Sequence, residues 1–440
     1  MRWQQLISNK RLGQEQMHVH RTDDRTEFKR DYDRLIFSAP FRRLQNKTQV
    51  FPLPGSVFVH NRLTHSLEVA SVGRSLGDDV VRQLLQIHPE LSETMMSECG
   101  SIVSAACLAH DLGNPPFGHS GERAIATFFS ESKGLQYKDL LTDVQWSDIT
   151  HFDGNANAFR LLTHAFHGRR PGGFVMTYST LASIVKYPYP STQCGKKQKF
   201  GYFEAERETY QRIAYDLGMT DHPDDLRGRR HPLVYLVEAA DDICYEIMDI
   251  EDAHKLRLLS TEETCELLTA FVTPERQAHV REIANEVIDV NERIVYLRSC
   301  AIGALERECV RVFVDNEEAI LNGTFEGSLV KHTAPHVSAA YSKCSALSVK
   351  RIYRSKDVVD IELAGYRIIS QLIELYVDAA MHPDRAYSQL LLNRVSPQYE
   401  LSAPDVYSRI MGVLDFLCGM TDVFALDLYR KINGHSLPVI

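Results

Sequence analysis

The sequence predicts an all-α fold, and three features of the chain support this prediction. Apolar residues recur at intervals of three to four along several segments, which is typical of helices with one buried face. Alternation of apolar and polar residues, which would indicate strands, is scarce. No repeat of about 20 to 50 residues stands out, so the pattern favours a globular helical protein over a solenoid.

The helical segments occur in both halves of the chain. One is marked by the apolar residues Leu63, Leu67, Ala70 and Leu76. Another is marked by Leu233, Leu236, Val237, Ala240, Ile243 and Ile247. The later stretch IELAGYRIISQLIELYVDAAM predicts a buried or amphipathic helix, and PDVYSRIMGVLDFLCGMTDVFALDLYRKI predicts one long helix or a helix pair. Residues 168–203, rich in Gly, Pro, Tyr and Lys, predict a long loop, with a short β-hairpin as the alternative.

The composition is that of an ordinary globular protein. Of 440 residues, 44% are hydrophobic and 24% are charged, and this length could hold one large domain or several smaller ones. The longest apolar stretches, such as residues 102–109, are far shorter than the roughly 20 residues of a membrane-spanning helix. We therefore expect no membrane segment and a cytoplasmic location. The nine cysteines have no paired CxxC spacing and predict reduced thiols.

The net charge of −9 argues against a surface that coats nucleic acid. Basic residues nevertheless form three local clusters. These are Arg42, Arg43 and Lys47, then Arg169 and Arg170, and finally Lys196, Lys197 and Lys199. Most such clusters are solvated surface charge. Those that fold near a metal site would instead bind phosphate.

The most informative residues are His110 and Asp111, which are adjacent in the stretch CLAHDLGNPPFGHSGE. A histidine and an aspartate together at a helix end can reach one divalent metal, although a surface turn explains most isolated His-Asp pairs. The following residues strengthen the prediction, because two prolines and their flanking glycines cannot continue a helix. The chain must therefore fold back, which returns His119 and Glu122 towards the pair.

Further metal ligands are available on two other predicted helices. In RLTHSLEV, His65 follows Arg62 by about one turn, so a metal ligand and a phosphate ligand share a helix face. In YLVEAADDICYEIMDIEDAH, one stripe is formed at intervals of four by Asp241, Tyr245 and Asp249. The two helices together could complete a metal site begun by the His-Asp pair.

A second acidic stripe on the later helix competes with the first. Asp242 and Glu246 also lie four residues apart, and periodicity alone leaves open which stripe faces inward. Imidazole combined with carboxylate suits Mn, Fe, Zn, Co or Ni, whereas Mg prefers oxygen-rich sites. A metal held by such groups activates water and polarises a phosphate oxygen, so the residues predict phosphoester hydrolysis.

These residues resemble the H…HD…D signature of the HD phosphohydrolase superfamily, in the positions His65, His110, Asp111 and Asp241. More closely, the chain resembles the deoxyguanosine triphosphate triphosphohydrolase family in RRLQNKTQVF, NRLTHSLEV, HDLGNPPFGHSGE, HFDGNANAFR, IVKYP and EAADDICY. The long HDLGNPPFGHSGE match is highly specific, whereas KYP alone is not. The resemblance selects Asp241 as the fourth ligand, because the family's ligand precedes the tyrosine by four residues.

The resemblance implies an HD-type helical core with an additional C-terminal helical layer. We predict that residues 1–60 contribute to the substrate pocket and that residues 61–255 form the metal-dependent core. Residues 256–440 would pack on this core and make oligomer contacts. The family further implies a homo-oligomer, commonly a hexamer.

The activity that the resemblance implies is hydrolysis of a deoxynucleoside triphosphate, with dGTP favoured, to the deoxynucleoside and inorganic triphosphate. It would require a divalent metal, which could be Mn, Mg, Fe, Co, Ni or Zn. His119 would donate a proton to the leaving 5′ oxygen, and Glu122 would orient and stabilise the protonated histidine. In the absence of the resemblance, a lone histidine after a turn would be read as structural.

The resemblance also implies a set of substrate contacts. Fixed cations suit a triphosphate, and the cations expected to hold it are Arg62, Lys186 and Lys199. The residues expected around the sugar and the rest of the nucleotide are Gln49, Val50, Asn155, Tyr187, Tyr245 and Asp249. In this set Tyr245 would stack on the sugar and Asp249 would receive the 3′ hydroxyl. Ordinary core packing is the alternative for Val50 and Tyr245.

Two other functions are open at the level of sequence. Another HD-type reaction, such as that of a phosphodiesterase or a 5′-nucleotidase, could use the same residues, because a shared metal site does not define the substrate. A regulatory protein that binds single-stranded DNA is the other alternative, and the basic clusters would support it. The residues do not reveal the preferred base or the metal.

Overall fold

The computed structural model describes residues 1–16, 23–51 and 59–436, and their secondary structure is helical. Within these ranges no β-strand forms, and extended pairing is limited to isolated bridges such as that between Thr48 and Asn61. The prediction of an all-α fold is therefore confirmed. In the same ranges, no helix is both long enough and apolar enough to cross a bilayer.

Twelve α-helices of the described chain lie before residue 256. They are α1 (Trp3–Leu6), α2 (Glu27–Ile36), α3 (Ala39–Arg43), α4 (Arg62–Ile87), α5 (Glu93–Met96), α6 (Cys99–Ala109), α7 (His119–Glu131), α8 (Asp143–Thr150), α9 (Gly154–Thr163), α10 (Tyr178–Ile184), α11 (Arg207–Asp216) and α12 (Pro232–Lys255). The rest of the described chain contains α13 (Thr261–Thr269), α14 (Pro274–Glu286), α15 (Val290–Asp315), α16 (Glu317–Asn322), α17 (Pro335–Leu347), α18 (Lys356–Met381), α19 (Ala386–Leu392), α20 (Val406–Cys418) and α21 (Asp422–Ile432). Short 3₁₀ segments join several of them.

The first hydrophobic core contains α4, α6 and α12 packed against one another. Helix α4 begins at a capping box, in which Asn61 and Thr64 exchange side-chain and backbone hydrogen bonds. Every residue of α6 is buried. A Cβ on Gly77 of α4 would come within 2.7 Å of the Cα of Gly100 of α6, so only glycine permits this close approach.

A second hydrophobic core joins α7 and α8 to the C-terminal helices α18, α20 and α21. Phe129 of α7, Tyr376 of α18 and Leu417 of α20 are fully buried in it. The C-terminal helices thus form the additional layer that was predicted. Because α7 starts at His119, this second core holds the helix that carries the predicted proton donor.

The structure corrects one local prediction, for residues 168–203, and decides between the two alternatives for the final helical segment. The β-hairpin alternative for residues 168–203 is wrong, because this segment contains α10 and 3₁₀ turns, and Pro190 and Tyr202 form only an isolated bridge. Every residue of α10 is buried and Thr177 caps its start, so tertiary packing stabilises a helix that is too short to form alone. The final segment is a helix pair, since α20 ends at Cys418 and α21 begins at Asp422.

The nine cysteines are all free thiols, in agreement with the expectation from their spacing. Cys194, Cys265 and Cys300 are partly exposed, and the others are buried. The buried ones therefore act as small apolar core residues.

Candidate active site

A cavity of about 690 Å³ is lined by residues from the N-terminal segment, from the end of α6, and from α7, α12 and α18. It brings together all the predicted site residues except His65 and Asp249. These two are buried, and each contacts a residue that does line the cavity. One cavity therefore unites groups that are far apart in sequence.

The four predicted metal ligands converge from three helices. His65 lies on α4, His110 and Asp111 follow the end of α6, and Asp241 lies on α12. One possible ligand atom from each of His65, His110 and Asp111 lies within 4.8 Å of the other two. Oδ1 of Asp241 lies 3.1 Å from Nε2 of His65 and 3.5 Å from Nε2 of His110. The three helices thus bring two imidazoles and two carboxylates close together.

His110 is oriented by the end of its own helix. Its Nδ1 donates a hydrogen bond to the carbonyl of Cys107 at 2.6 Å, which leaves Nε2 for the cluster. Within the described part of the chain, this buried Nε2 has no hydrogen-bond partner. Burial lowers the pKa of His110, but the charges of Asp111 and Asp241 outweigh burial and raise the pKa to about 9. The carboxylates therefore favour a cation beside them.

This donor set fits a divalent metal. Nε2 of His110 is buried without a hydrogen-bond partner among the described residues and lies 3.7 and 3.5 Å from the carboxylates of Asp111 and Asp241, so it can ligate a cation held between them. The mixed nitrogen and oxygen donors suit Mn, Fe, Co, Ni or Zn better than Mg. Because a metal replaces the proton of the imidazole, the affinity of the site for the metal should rise with pH.

Two residues hold the carboxylate of Asp111. Nη1 of Arg62 donates to its Oδ2 at 2.6 Å, and Nδ2 of Asn114 donates to its Oδ1 at 2.5 Å. Burial raises the pKa of Asp111, but the positive charges of Arg62 and His110 bring it below the ordinary value. Asp111 is therefore held ionised, which is the form that binds a metal. Arg62, predicted as a phosphate contact, also orients a candidate metal ligand.

Helix α12 presents its two acidic stripes to different surroundings. Asp241 lies against the histidines, whereas Asp242 lines a separate cavity of about 700 Å³. Glu246 accepts a hydrogen bond from Oγ of Ser348 at 2.9 Å. Helix packing, rather than periodicity, decides which stripe faces the cluster.

The first turn of α7 builds a different part of the cavity. Nδ1 of His119 donates to Oε2 of Glu122 at 2.7 Å, and Oε1 of Glu122 accepts from the backbone nitrogen of Gly154 at 2.7 Å. The side chain of His119 is 77% exposed, whereas that of Glu122 is 8% exposed. Burial raises the pKa of Glu122, but the hydrogen bond with His119 and the charge of Lys199 lower it to about 2. An ionised carboxylate thus anchors an accessible imidazole.

Two of the predicted phosphate contacts, Lys199 and Lys186, are paired with carboxylates at the cavity. Nζ of Lys199 lies 3.3 Å from Oδ1 of Asp153 and 3.5 Å from Oε2 of Glu122. Nζ of Lys186 lies 3.1 Å from Oε1 of Glu238. These ion pairs hold both ammonium groups beside the cavity.

Asn155 and Tyr187 line the cavity next to these lysine pairs. The backbone nitrogen and Nδ2 of Asn155 both donate to Oδ1 of Asp153, at 3.0 and 2.9 Å, so the cap of α9 orients the amide. Nζ of Lys186 lies 6.0 Å from the ring centroid of Tyr187. Both side chains therefore occupy defined positions.

Gln49 and Val50 line the cavity from the N-terminal segment. In the part of the chain that the structure describes, the buried Oε1 of Gln49 has no hydrogen-bond partner, so it can accept a bond from a ligand. The ring of Tyr245 lies edge-on to that of His65, with 6.3 Å between the ring centroids. Polar and aromatic groups thus share this end of the cavity.

Asp249 does not line the cavity and is separated from it by Tyr353. The hydroxyl of Tyr353 donates to Oδ2 of Asp249 at 2.7 Å, and Tyr353 does line the cavity. Burial raises the pKa of Asp249 well above its ordinary value. The hydroxyl of Tyr353 would therefore compete with the sugar for the carboxylate of Asp249.

Several polar residues of the cavity were not predicted from the sequence. Asn114 lies inside the HDLGN motif, and its nearness to Asp111 was the available signal. Arg123 pairs with Glu362 of α18 at 3.2 Å, and both line the cavity. Tyr353 precedes α18 and Glu362 lies on it, and no role was predicted for either of them.

Two stretches of the chain match known protein families. Residues 62–147 match the HD domain, which includes three of the four candidate metal ligands and both His119 and Glu122. Residues 332–431 match the phosphohydrolase-associated domain, which includes α18 and α20 and nearly all of α21. The two matches thus meet at the cavity.

Relatives align with almost the whole chain. A deoxyguanosinetriphosphate triphosphohydrolase-like protein of Pseudomonas aeruginosa is 39% identical over 450 residues, covering 100% of both chains. A protein of the same name from Synechocystis sp. is 38% identical and covers 99% of this chain and 100% of its own. A Yersinia enterocolitica protein named deoxyguanosinetriphosphate triphosphohydrolase is 29% identical over 92% of this chain and 93% of its own. The chain therefore belongs to the HD-domain family of deoxyguanosinetriphosphate triphosphohydrolases and triphosphohydrolase-like proteins.

Proposed function

We propose that this protein is a metal-dependent deoxynucleoside triphosphate triphosphohydrolase that favours dGTP. The observation that carries the proposal is a single cavity that joins a His/Asp cluster, a His–Glu pair and three cationic side chains. These groups can bind a metal, protonate a leaving oxygen and hold a polyphosphate. The preference for dGTP rests on the names of the relatives.

Four side chains would hold the metal, namely His65, His110, Asp111 and Asp241. When bound, a divalent cation supplies Lewis acidity that activates water and polarises a phosphate oxygen. Arg62 and Asn114 support this binding because they fix the ionised carboxylate of Asp111 in one orientation.

The proposed reaction breaks the bond between the 5′ oxygen and the α-phosphorus. Water adds to the α-phosphorus, and the products are a deoxynucleoside and an intact triphosphate. The leaving 5′ oxygen requires a proton, which His119 would donate. Glu122 stabilises the protonated imidazole because its carboxylate bonds Nδ1 at 2.7 Å. Since His119 is exposed, solvent can restore its proton after each turnover.

Three cations would hold the triphosphate, namely Arg62, Lys186 and Lys199. Each is now paired with a carboxylate, at Asp111, Glu238 and Asp153 respectively. A bound polyanion would therefore share or replace these contacts, and the carboxylates keep the cations in place when the cavity holds no substrate.

The sugar would lie against Gln49, Val50 and Tyr245, with Asn155 and Tyr187 completing the pocket. Asp249 would receive the 3′ hydroxyl. For this to happen, Tyr353 must share the carboxylate or move aside, because its hydroxyl now bonds Oδ2.

Product analysis tests the proposal. The purified protein is incubated with each deoxynucleoside triphosphate and with Mn, Mg, Fe, Co, Ni or Zn, and the phosphate product is identified by chromatography. We expect inorganic triphosphate and the deoxynucleoside, with dGTP consumed fastest. Release of monophosphate or of pyrophosphate would contradict the proposal, and hydrolysis of a phosphodiester or a nucleoside monophosphate instead would support another HD-type reaction.

Single-stranded DNA binding stays an additional hypothesis. Arg43 and Lys47 of the first basic cluster share a small cavity of about 120 Å³ with Arg169 of the second, whereas Lys197 of the third lines a different cavity. A binding curve measured at increasing salt would test the hypothesis, because phosphate contacts weaken steeply as salt rises.

We also propose a homo-oligomer, with a hexamer as the form that the family resemblance implies, and a cytoplasmic location. Light scattering during size exclusion would measure the assembly, and fractionation of cells would locate the protein. The division into residues 1–60, 61–255 and 256–440 likewise stays a proposal, which limited proteolysis would test.

A further inference from the structure

One carboxylate from the C-terminal layer joins two walls of the cavity. Asp422, the first residue of α21, is only 5% exposed. Its Oδ2 accepts from the backbone nitrogen and from Oγ1 of Thr48, at 2.7 and 2.6 Å. Its Oδ1 accepts from the backbone nitrogen of Phe117 at 2.9 Å. Thr48 and Phe117 both line the cavity, whereas Asp422 lies behind them.

The two segments that Asp422 joins have different roles in the proposed reaction. Thr48 directly precedes Gln49 and Val50, which would lie against the sugar. Phe117 lies two residues before His119, the proposed proton donor. We call the segment of Gln49 and Val50 the sugar wall. The carboxylate of Asp422 therefore connects the sugar wall to the segment that leads to the proton donor.

The turn that delivers His119 requires an external anchor. Phe117 has a φ of 62° and Gly118 a φ of 55°, so two successive residues adopt the left-handed region. That region is costly for phenylalanine and persists only where the surroundings enforce it. The bond from the backbone nitrogen of Phe117 to Asp422 is one such restraint, and the packing of the Phe117 side chain against Gly365 of α18 is another.

A second buried charge ties the same regions together. Nζ of Lys47 donates to the carbonyl of Asn114 at 2.6 Å and to the carbonyl of Cys418 at 2.8 Å. Lys47 is 3% exposed and directly precedes Thr48. The N-terminal segment, the loop after the His-Asp pair and the corner between α20 and α21 are thus bonded at two places.

We propose that Asp422 is a positioning residue, which aligns the sugar wall with the proton donor through Thr48 and Phe117. This inference rests on the proposed function, and it assigns the C-terminal layer a part in substrate discrimination. The carboxylate of Asp422 holds both segments, so a change in this carboxylate shifts His119 and Val50 relative to each other. Displacements of about 1 Å in such sites can cost on the order of a hundredfold in rate.

The test variant is Asp422→Asn. An amide offers one acceptor oxygen, and its nitrogen would face an N–H donor, so the bond to Thr48 or to Phe117 must break. We expect kcat for dGTP to fall by about tenfold to a hundredfold. The ratio of kcat/KM for dGTP to that for GTP should also fall, by about tenfold, because the sugar wall is displaced. Bound metal should be retained.

The matched control is Asp427→Asn on the same helix. Asp427 pairs with Lys431 at 2.7 Å, and its side chain is 44% exposed. It lies outside the cavity, so both the rate and the dGTP-to-GTP ratio should match those of the wild type. Thr48→Ser should also retain the ratio, whereas Thr48→Val, which keeps the backbone bond but removes the hydroxyl, should lower it by a smaller factor than Asp422→Asn.

Amide hydrogen exchange gives a readout that does not depend on activity. In Asp422→Asn, the peptide whose bond is lost, containing either Thr48 or Phe117, should exchange faster, whereas Asp427→Asn should change neither. An unchanged dGTP-to-GTP ratio in Asp422→Asn would overturn the inference, because a purely structural defect lowers both substrates alike. Unchanged exchange in both segments would also overturn it.

The outcome stays distinct from that of the proposed function. If the wild type releases no triphosphate, the proposed function fails. The same discrimination is then measured as the ratio of affinities for dGTP and GTP in the wild type and in Asp422→Asn. A ratio that falls by about tenfold supports the positioning role, and an equal ratio contradicts it.

Discussion

The metal cluster and the His119 corner share one cavity but are built in different ways. The cluster takes its side chains from α4, α12 and the end of α6, which pack together in the first core. His65 is 2% exposed there. The corner is the first turn of α7, where the side chain of His119 is 77% exposed and is held through Glu122.

This difference follows from what each region must do. Metal ligands need a fixed geometry, and helix packing provides it, while buried carboxylates are stabilised only when a cation is near. A proton donor must exchange protons with water in each cycle, so it has to be accessible. Changes in the cluster should therefore abolish the site, whereas changes in the corner should produce graded effects.

The largest effect is expected for Asp241→Ala, because this carboxylate faces both histidines of the cluster. Bound metal and turnover should both fall to background, and His110→Ala should behave alike. Elemental analysis together with a triphosphate-release assay measures both. Asp242→Ala is the matched control, since that neighbour lines the other cavity and should retain metal. Full metal occupancy with normal activity in Asp241→Ala would remove the residue from the site.

A smaller effect is expected for His119→Ala. Turnover should fall by roughly a hundredfold or more, the usual contribution of a positioned acid, while metal and nucleotide binding persist. The turnover rate should therefore fall, while the affinity for the nucleotide stays close to that of the wild type. His279→Ala on α14 is the control, because His279 and Glu282 repeat the same spacing on the surface. Unchanged turnover in His119→Ala would show that the residue is structural only.

A third prediction concerns the sugar wall, between the two regions. Gln49, Val50 and Tyr245 should leave no room for a 2′ hydroxyl, so dGTP should be preferred over GTP by at least about tenfold to a hundredfold. Val50→Ala should relax this preference, and the exposed Val349→Ala should not. Equal efficiency for GTP and dGTP in the unmodified protein, at matched metal, would contradict the prediction.

The smallest effect is expected for stability in Glu122→Gln. The pKa of Glu122 in the folded protein is about 2, below the ordinary value of about 4.3. The ionised carboxylate therefore stabilises the fold, and this stabilisation is fully present at pH values above about 4.3. At pH 7 the substitution should cost on the order of 1–2 kcal/mol in the free energy of unfolding. The difference from the wild type should shrink as pH falls from about 4.5 towards 2. Thermal unfolding across this range measures it, with the exposed Glu282→Gln as control. A difference independent of pH would mean that Glu122 is not held ionised.

Much of the cavity was within reach of the sequence because its signals are local. His110, Asp111, His119 and Glu122 lie within one motif, and the turn between them follows from its prolines and glycines. The family resemblance then added Gln49, Val50 and the lysines, which no spacing rule would select. Their positions at the cavity agree with that resemblance, and their roles in binding stay predictions.

Other features depended on contacts between distant segments. Tyr353 bonds Asp249 across 104 residues, and Asp422 bonds Thr48 across 374 residues. Burial converted part of residues 168–203 into α10, although their composition indicated a loop. Neither hydrogen bonds between distant residues nor burial by other segments can be predicted from a short stretch of sequence.

By itself, the sequence determined the all-α fold, the turn that returns His119 towards the His-Asp pair, and the set of groups able to bind a metal. Periodicity and turn residues act over one or two helical turns, so they can be read locally. Periodicity left open whether Asp241 or Asp242 faces the histidines, and the tertiary structure agrees with the family resemblance in placing Asp241 there. Only the tertiary structure decided that Asp422 lies behind the cavity and bonds Thr48 and Phe117. These outcomes depend on which helix faces pack together, and that choice is made by the burial of apolar surface from the whole chain.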